Sequence, residues 1–254
     1  MSGHSKWAQI KRDKAKNDAA RGAVFTKMSR EIIVSARIGG GDPAGNFRLR
    51  TAIEVARKAG VPNDNIKRAI AKGVGADGAD ALEEIQYEGY GPSGVAVLVR
   101  AFTDNRNRTA ADLRAAFGRN GGNLGETGCV GFLFAERGQV ILDNEDEDLA
   151  EDAVLEAAMD GGADDVRESG DTFEVLCAPG DLEAVQNALV ARGFKIDSAD
   201  VVDIASTTVR IEDPETARKL LRLIERLEEL DDVQKVAANF DVPDEILAEI
   251  EATL

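Results

Sequence analysis

Between Phe25 and Ile70 the large apolar residues return every three or four positions, a period that predicts successive amphipathic helices. Phe25, Met28, Ile32, Ile33 and Ala36 form the stripe of the first, with Lys27, Arg30 and Arg37 on its outer face. Gly39-Gly40-Gly41 ends it. Asp42-Pro43 is expected to reopen a helix, because aspartate suits a cap and proline the first turn. Leu49, Ala52, Ile53 and Ala56 are its buried positions, and Arg50 and Arg57 share another face two turns apart. A last short helix starts at Pro62, has Asp64 in its first turn, buries Ile66 and Ile70, and stops near Gly73. Ahead of these, Ser5 to Asn17 offers only Trp7 and Ile10 as large apolar residues: a helix with little to bury, or an arm that orders on contact. Gly73 to Gly78 reads as a flexible linker.

Beyond the linker the period shortens into apolar runs that alternate with helical stretches. Val95–Arg100 is a predicted strand, Thr109–Phe117 a helix and Cys129–Phe134 a strand, one βαβ half. The next run has strand Gln139–Leu142, helix Asp148–Met159, a strand pair at Asp165–Glu168 and Thr172–Cys177, helix Leu182–Ala191 and strand Ser198–Ile204. That order is β-α-β-β-α-β, the ferredoxin-like order. A further βαβ half follows at Thr208–Ile211, Pro214–Leu227 and Val233–Ala237, and a helix through Ile246, Leu247 and Ile250 closes the chain. The expected fold class is α+β. An N-terminal helical bundle (1–78) is followed by two ferredoxin-like α/β sandwich domains, one (136–204) inserted into the other (79–135 with 205–254).

Charge sharpens this division. Met1 to Lys72 carry eight lysines and eight arginines against six acids, a balance of +10, while the remainder carries 15 basic and 41 acidic groups. A net charge of −16 therefore conceals a basic N-terminal quarter, which should concentrate polyanions, nucleic acid above all. The candidate contacts are Lys6, Trp7, Lys11, Arg12, Lys14, Lys16, Arg21, Lys27, Arg30, Arg37, Arg48, Arg50, Arg57, Lys67 and Arg68. Trp7 could stack on a base or anchor the small core. Arg106 and Arg108, in the loop Thr103–Thr109 ahead of a helix, suit a phosphate; the competing reading is a structural turn built by Asp104 and Asn105. The acidic remainder would repel nucleic acid and is available to a protein partner.

The chain offers little for catalysis. His4 is the sole histidine and has no evident partner. Gly89-Tyr-Gly-Pro-Ser-Gly94 matches G-x-G-x-x-G, but Pro92 and a following strand make it a turn rather than a dinucleotide loop. Asp143 to Asp148 lacks the glycine and spaced glutamate of a calcium loop and reads as a solvated lead-in to a helix. No enzyme activity, cofactor or metal is expected. No apolar run is long enough to cross a membrane and no secretory segment is visible, so a cytoplasmic location is expected. Cys129 and Cys177 read as buried free thiols, with a disulfide as the alternative.

Gly3-His-Ser-Lys-Trp7, Arg21-Gly22, Phe25-Thr-Lys27, Gly40-Gly-Asp-Pro43, Asn46-Phe-Arg-Leu-Arg50 and Pro62-Asn-Asp-Asn-Ile66 resemble the YebC/PmpR family of probable transcriptional regulators. Tyr87-Glu-Gly-Tyr-Gly-Pro92, Thr103 to Thr109 and Gly121-Gly-Asn-Leu-Gly125 extend the resemblance over nearly the whole chain. Two positions depart from the family pattern: Ala23, where a lysine is common, and the additional Gly39. The resemblance implies a helical domain and two interleaved α/β domains, no catalytic activity and no cofactor. It implies DNA-binding regulation of transcription first, and association with ribosomes or RNA in translation second, as in a mitochondrial relative that activates synthesis of cytochrome oxidase.

Overall fold

The structure, a computed structural model, describes residues 21–75, 82–144, 149–169 and 172–251. Lys6, Trp7, Lys11, Arg12, Lys14 and Lys16, residues 76–78 of the predicted linker and residues 145–148 of the acidic run lie outside the described residues, as does the side chain of Arg21. Helix α1 is Arg21–Gly39, α2 Phe47–Lys58 and α3 Asn63–Val74. Their apolar stripes close on one core of Ile32, Ile33, Leu49, Ile53, Val61 and Ile66. Helix α2 starts four residues later than Asp42-Pro43 suggested. The Asp42 carboxylate instead accepts from the Ala44 N–H (3.0 Å) in a turn, and buried Asn46 caps the helix by accepting from Leu49 N–H (3.1 Å). Asn46 also donates to Ser35 O and Gly40 O, both at 2.8 Å, so one amide fixes the end of α1 to the start of α2.

The chain divides into two compact units, one of residues 133–206 and one holding the described residues before and after it. In the latter, β1 (Glu83–Tyr90) and β2 (Ala96–Thr103) form an antiparallel hairpin, followed by α4 (Arg106–Arg119) and the short β3 (Asn123–Leu124). The G-x-G-x-x-G segment is the hairpin turn: Gly91 N–H donates to Val95 O (2.8 Å), and Ser93 and Gly94 sit at φ 58° and 75°. After residue 206 come β8 (Val209–Arg210), α7 (Pro214–Glu228), β9 (Val233–Ala238), β10 (Phe240–Asp241) and α8 (Asp244–Glu251). The sheet order is β3-β1-β2-β9, all antiparallel, and α4 and α7 cover Val97, Val99 and Val236 with Leu113, Phe117, Leu220 and Ile224.

Two expectations for this sheet are corrected. Cys129–Phe134 is not a strand; Gly131–Leu133 is a single helical turn. Thr208–Ile211 does not join the sheet, because β8 pairs in parallel with β10 instead. The two vacant places are taken by the short β3 and by β1, whose sequence Glu-Glu-Ile-Gln-Tyr-Glu-Gly-Tyr has too few apolar residues to signal a strand. Buried Glu88 is satisfied by N–H groups of Gly128 (2.8 Å), Val130 (2.7 Å) and Gly131 (2.6 Å), partners some forty residues away. Burial alone would raise its pKa, but those three hydrogen bonds hold it below the ordinary glutamate value.

In the 133–206 unit, β4 (Phe134–Asp143), α5 (Glu151–Asp160), β5 (Asp165–Ser169), β6 (Thr172–Cys177), α6 (Leu182–Ala191) and β7 (Ile196–Ala205) form an antiparallel sheet of order β5-β6-β4-β7. This is the ferredoxin-like arrangement, with each helix crossing over the strand between its flanking pair. Val140, Leu142, Phe173 and Val175 supply the sheet side of its core and Val154, Ala157, Val185 and Leu189 the helix side. Both cysteines are free thiols, and burial raises the pKa of each.

Close approach of α1 and α3 gives a test of the helical core. A Cβ on Gly73 would lie 2.5 Å from Ile33 O and 2.7 Å from the Ala36 methyl. Alanine normally gains close to ~1 kcal/mol over glycine in a helix. Here Gly73→Ala should instead destabilise by about 1–3 kcal/mol, read from the urea midpoint, because the helices must separate.

Candidate nucleic-acid interface

The structure sorts the candidate cations into two groups. One group is committed to internal acceptors. Arg30, from the middle of α1, reaches the turn before β9, where its Nη1 donates to Asp232 Oδ1 (2.5 Å) and Asp231 O (2.6 Å) and lies 3.2 Å from Phe102 O. Arg108 reaches the same carboxylate from α4, with Nη2 at 3.0 Å from Oδ2 and 2.8 Å from Asp104 Oδ1. The Thr109 and Thr103 hydroxyls face Oδ2 at 2.6 and 3.3 Å. Asp232 is 7% exposed. Burial pushes its pKa up, but the bonds from Thr109, Arg108 and Arg30 outweigh that and hold it below the ordinary aspartate value. Lys27, one turn before Arg30, donates to Glu228 O at the end of α7.

Other candidates also have work inside the fold. Arg48 pairs with Glu31 (2.8 Å) and lies over the Phe102 ring, 5.8 Å from its centre. Arg50 donates to Pro43 O (3.0 Å) and stacks over Phe47, so it braces the turn before α2 rather than standing on an outer face. Arg37 donates to Leu82 O at 2.7 Å. Arg106 and Arg108 are not in a loop: Asn105 caps α4 through the Arg108 N–H (3.1 Å), which puts both in its first turn. Arg106 there pairs with Glu83 of β1. Asn105 thus serves as a helix cap, and the Asp104 carboxylate accepts from the Arg108 side chain.

The second group is exposed. Arg57 and Lys58 at the end of α2, and Lys67 and Lys72 on α3, have no side-chain partner among the described residues. Arg68 bonds, among the described residues, within its own helix, to Asp64 O (3.3 Å) and the Asn65 side chain. Arg68 lies on the face of α3 opposite buried Ile66, Ala69 and Gly73, with Lys67 and Lys72 on either side of it. Lys58 and Lys72 were missed as candidates, although both follow the polar phase of their helices. Asp232 was missed because nothing in Leu230-Asp-Asp-Val233 marks one acid as buried; its partners lie 124 and 202 residues away.

Charge also separates by unit. Residues 133–206 hold twenty acidic and four basic groups, which equals the net −16 of the whole chain, so the remaining residues balance at zero. Among the described residues no group of three or more histidines, cysteines or acids is placed to hold a metal, and no helix is long and apolar enough to cross a membrane.

Residues 5–76 match the TACO1/YebC protein N-terminal domain, and residues 82–240 match the TACO1/YebC second and third domain. A probable transcriptional regulatory protein of Desulfitobacterium hafniense is 52% identical over 246 residues, 97% of this chain and 98% of that protein. One of Gloeothece citriformis is 54% identical over 254 residues, 98% of each. The crystal structure of a conserved hypothetical protein from Aquifex aeolicus superposes with a TM-score of 0.83 at 47% identity, covering 91% of this chain and 94% of that one.

The Asp232 cluster predicts a pH-dependent stability. Asp232→Ala leaves two guanidinium groups without their shared acceptor and should cost about 3 kcal/mol in urea unfolding. A lowered folded pKa means the stabilisation is complete above the ordinary aspartate range and lost as pH falls through the folded value. The gap between wild type and Asp232→Asn should therefore narrow from neutral pH to about pH 2. A gap of constant size would show that the carboxylate's charge contributes nothing.

Proposed function

This chain belongs to the TACO1/YebC family, and we propose that it is a non-enzymatic regulator of transcription that grips DNA through the exposed faces of α2 and α3. The observation that carries this reading is the cation set Arg57, Lys58, Lys67 and Lys72, which are exposed and have no side-chain partner among the described residues, while Arg30, Arg48, Arg106 and Arg108 are committed to acids. Such cations meet phosphate at little cost, since no internal ion pair has to break first. The relatives' naming as probable transcriptional regulatory proteins supports the regulatory role. The contacts proposed are to the phosphate backbone, which positions the protein and carries no sequence code.

The salt dependence of duplex DNA binding tests the reading. If the basic N-terminal quarter makes about six phosphate contacts, log affinity should fall against log salt with a slope of roughly −5. Replacing Arg57, Lys67 and Lys72 together with glutamine should flatten that slope by up to ~3 units. Thermal unfolding should barely move, because all three are exposed and unpaired among the described residues. A slope unchanged by the triple variant would remove these helices from the interface. Crosslinking in cells then distinguishes the ligand: recovery of promoter DNA supports transcriptional control, and recovery of ribosomal RNA replaces it with a role in translation.

A further inference from the structure

We propose that the flank of the 133–206 unit formed by α5 and β5 is a docking site for a lysine- or arginine-rich segment of a partner protein, laid in extended form along β5. The first ground is the sheet edge. β5 is an outermost strand in the order β5-β6-β4-β7, so one row of its backbone N–H and C=O groups faces away from the sheet, the template on which an added strand pairs.

The second ground is what α5 presents beside that edge. Val154, Ala157 and Ala158 face the core, and Glu156 and Asp160 turn toward α6, where Arg192 pairs with both at 3.4 and 2.7 Å. The flank away from α6 carries Leu155, 40% exposed, and Met159, 64% exposed, one helical turn apart. Half-buried Val166 of β5 stands opposite Val175 on the helix-covered side of the sheet. An extended segment with apolar residues at alternate positions would pack them against this stripe, and the unbranched Met159 can adapt to what it meets.

Charge selects the occupant. Three of the four cations in this unit, Arg137, Arg167 and Arg192, already pair with acids of the same unit. Glu151, Asp152 and Glu168, around the apolar stripe, have no such partner among the described residues. A field of this sign repels nucleic acid and anionic lipid and draws a cationic polypeptide, so the unit complements the basic quarter of the chain by taking a different class of ligand.

The test uses the full chain and two synthetic peptides of equal charge, one alternating lysine with valine, the other alternating lysine with serine. Titration near physiological salt should show the valine peptide binding about tenfold more tightly, and amide resonances of residues 155–168 should shift. Leu155→Ser with Met159→Ser should abolish the preference while leaving affinity for the serine peptide intact, which also shows that the double variant is folded. Equal affinity of the wild-type chain for the two peptides, or shifts confined to other elements, would overturn the proposal.

Discussion

One carboxylate in the turn before β9 governs how the basic part of this protein is used. Asp232 is buried where α1, the end of β2 and the start of α4 meet, and an unpaired charge there would cost several kcal/mol, roughly what breaking a buried ion pair costs. Two arginines from elements far apart in sequence satisfy it, with Thr109 and Thr103 closing the shell. Arg30 carries the helical layer to this point, and Lys27 adds a second tie to the end of α7. The joint between the helices and the β3-β1-β2-β9 sheet therefore consists of cations that composition alone assigns to nucleic acid.

That constraint divides the basic residues by availability. A guanidinium held by a buried carboxylate and two carbonyl oxygens is not available to phosphate without loss of the joint, whereas an exposed lysine on α3 is. The separation by unit reinforces the division. All of the net negative charge resides in residues 133–206, and those residues form a ferredoxin-like sheet of their own. The residues outside the strongly acidic unit balance to zero, so the two proposed docking faces carry charge of opposite sign.

How much of this was legible depended on whether the causes were local. Helix α7 was readable almost to the residue, since Ala217, Leu220, Leu221, Ile224 and Leu227 follow one helical face and Asp213 caps it through the Thr216 N–H at 2.8 Å. The β-α-β-β-α-β order was also plain from alternating apolar runs over Gln139 to Ile204, although its first strand begins at Phe134 rather than Gln139. Strand β1 was not, because Glu88 reads as a solvated residue until Gly128, Val130 and Gly131 arrive to bond it. The start of α2 was misplaced because Asp42-Pro43 and Asn46 are both good caps, and the choice between them was made by Ser35 on the preceding helix and Gly40 just past its end. At the candidate interface the sequence showed which residues are basic but not which are spent. Arg50 and Arg57 looked alike, yet one braces a turn and the other is free among the described residues. That difference arises from tertiary acceptors, which a one-dimensional pattern does not carry.

The central claim is that the interface lies on the cations the fold leaves free. Hydrogen exchange of the full chain, with and without a short duplex DNA at low salt, tests it directly, since amides under a bound backbone exchange more slowly. The account predicts slowed exchange confined within the described residues to the exposed turns of α2 and α3, around Arg57 to Lys72, with residues 133–206 unchanged. Slowed exchange in residues 133–206, or none in α2 and α3 under conditions of measurable binding, would contradict it.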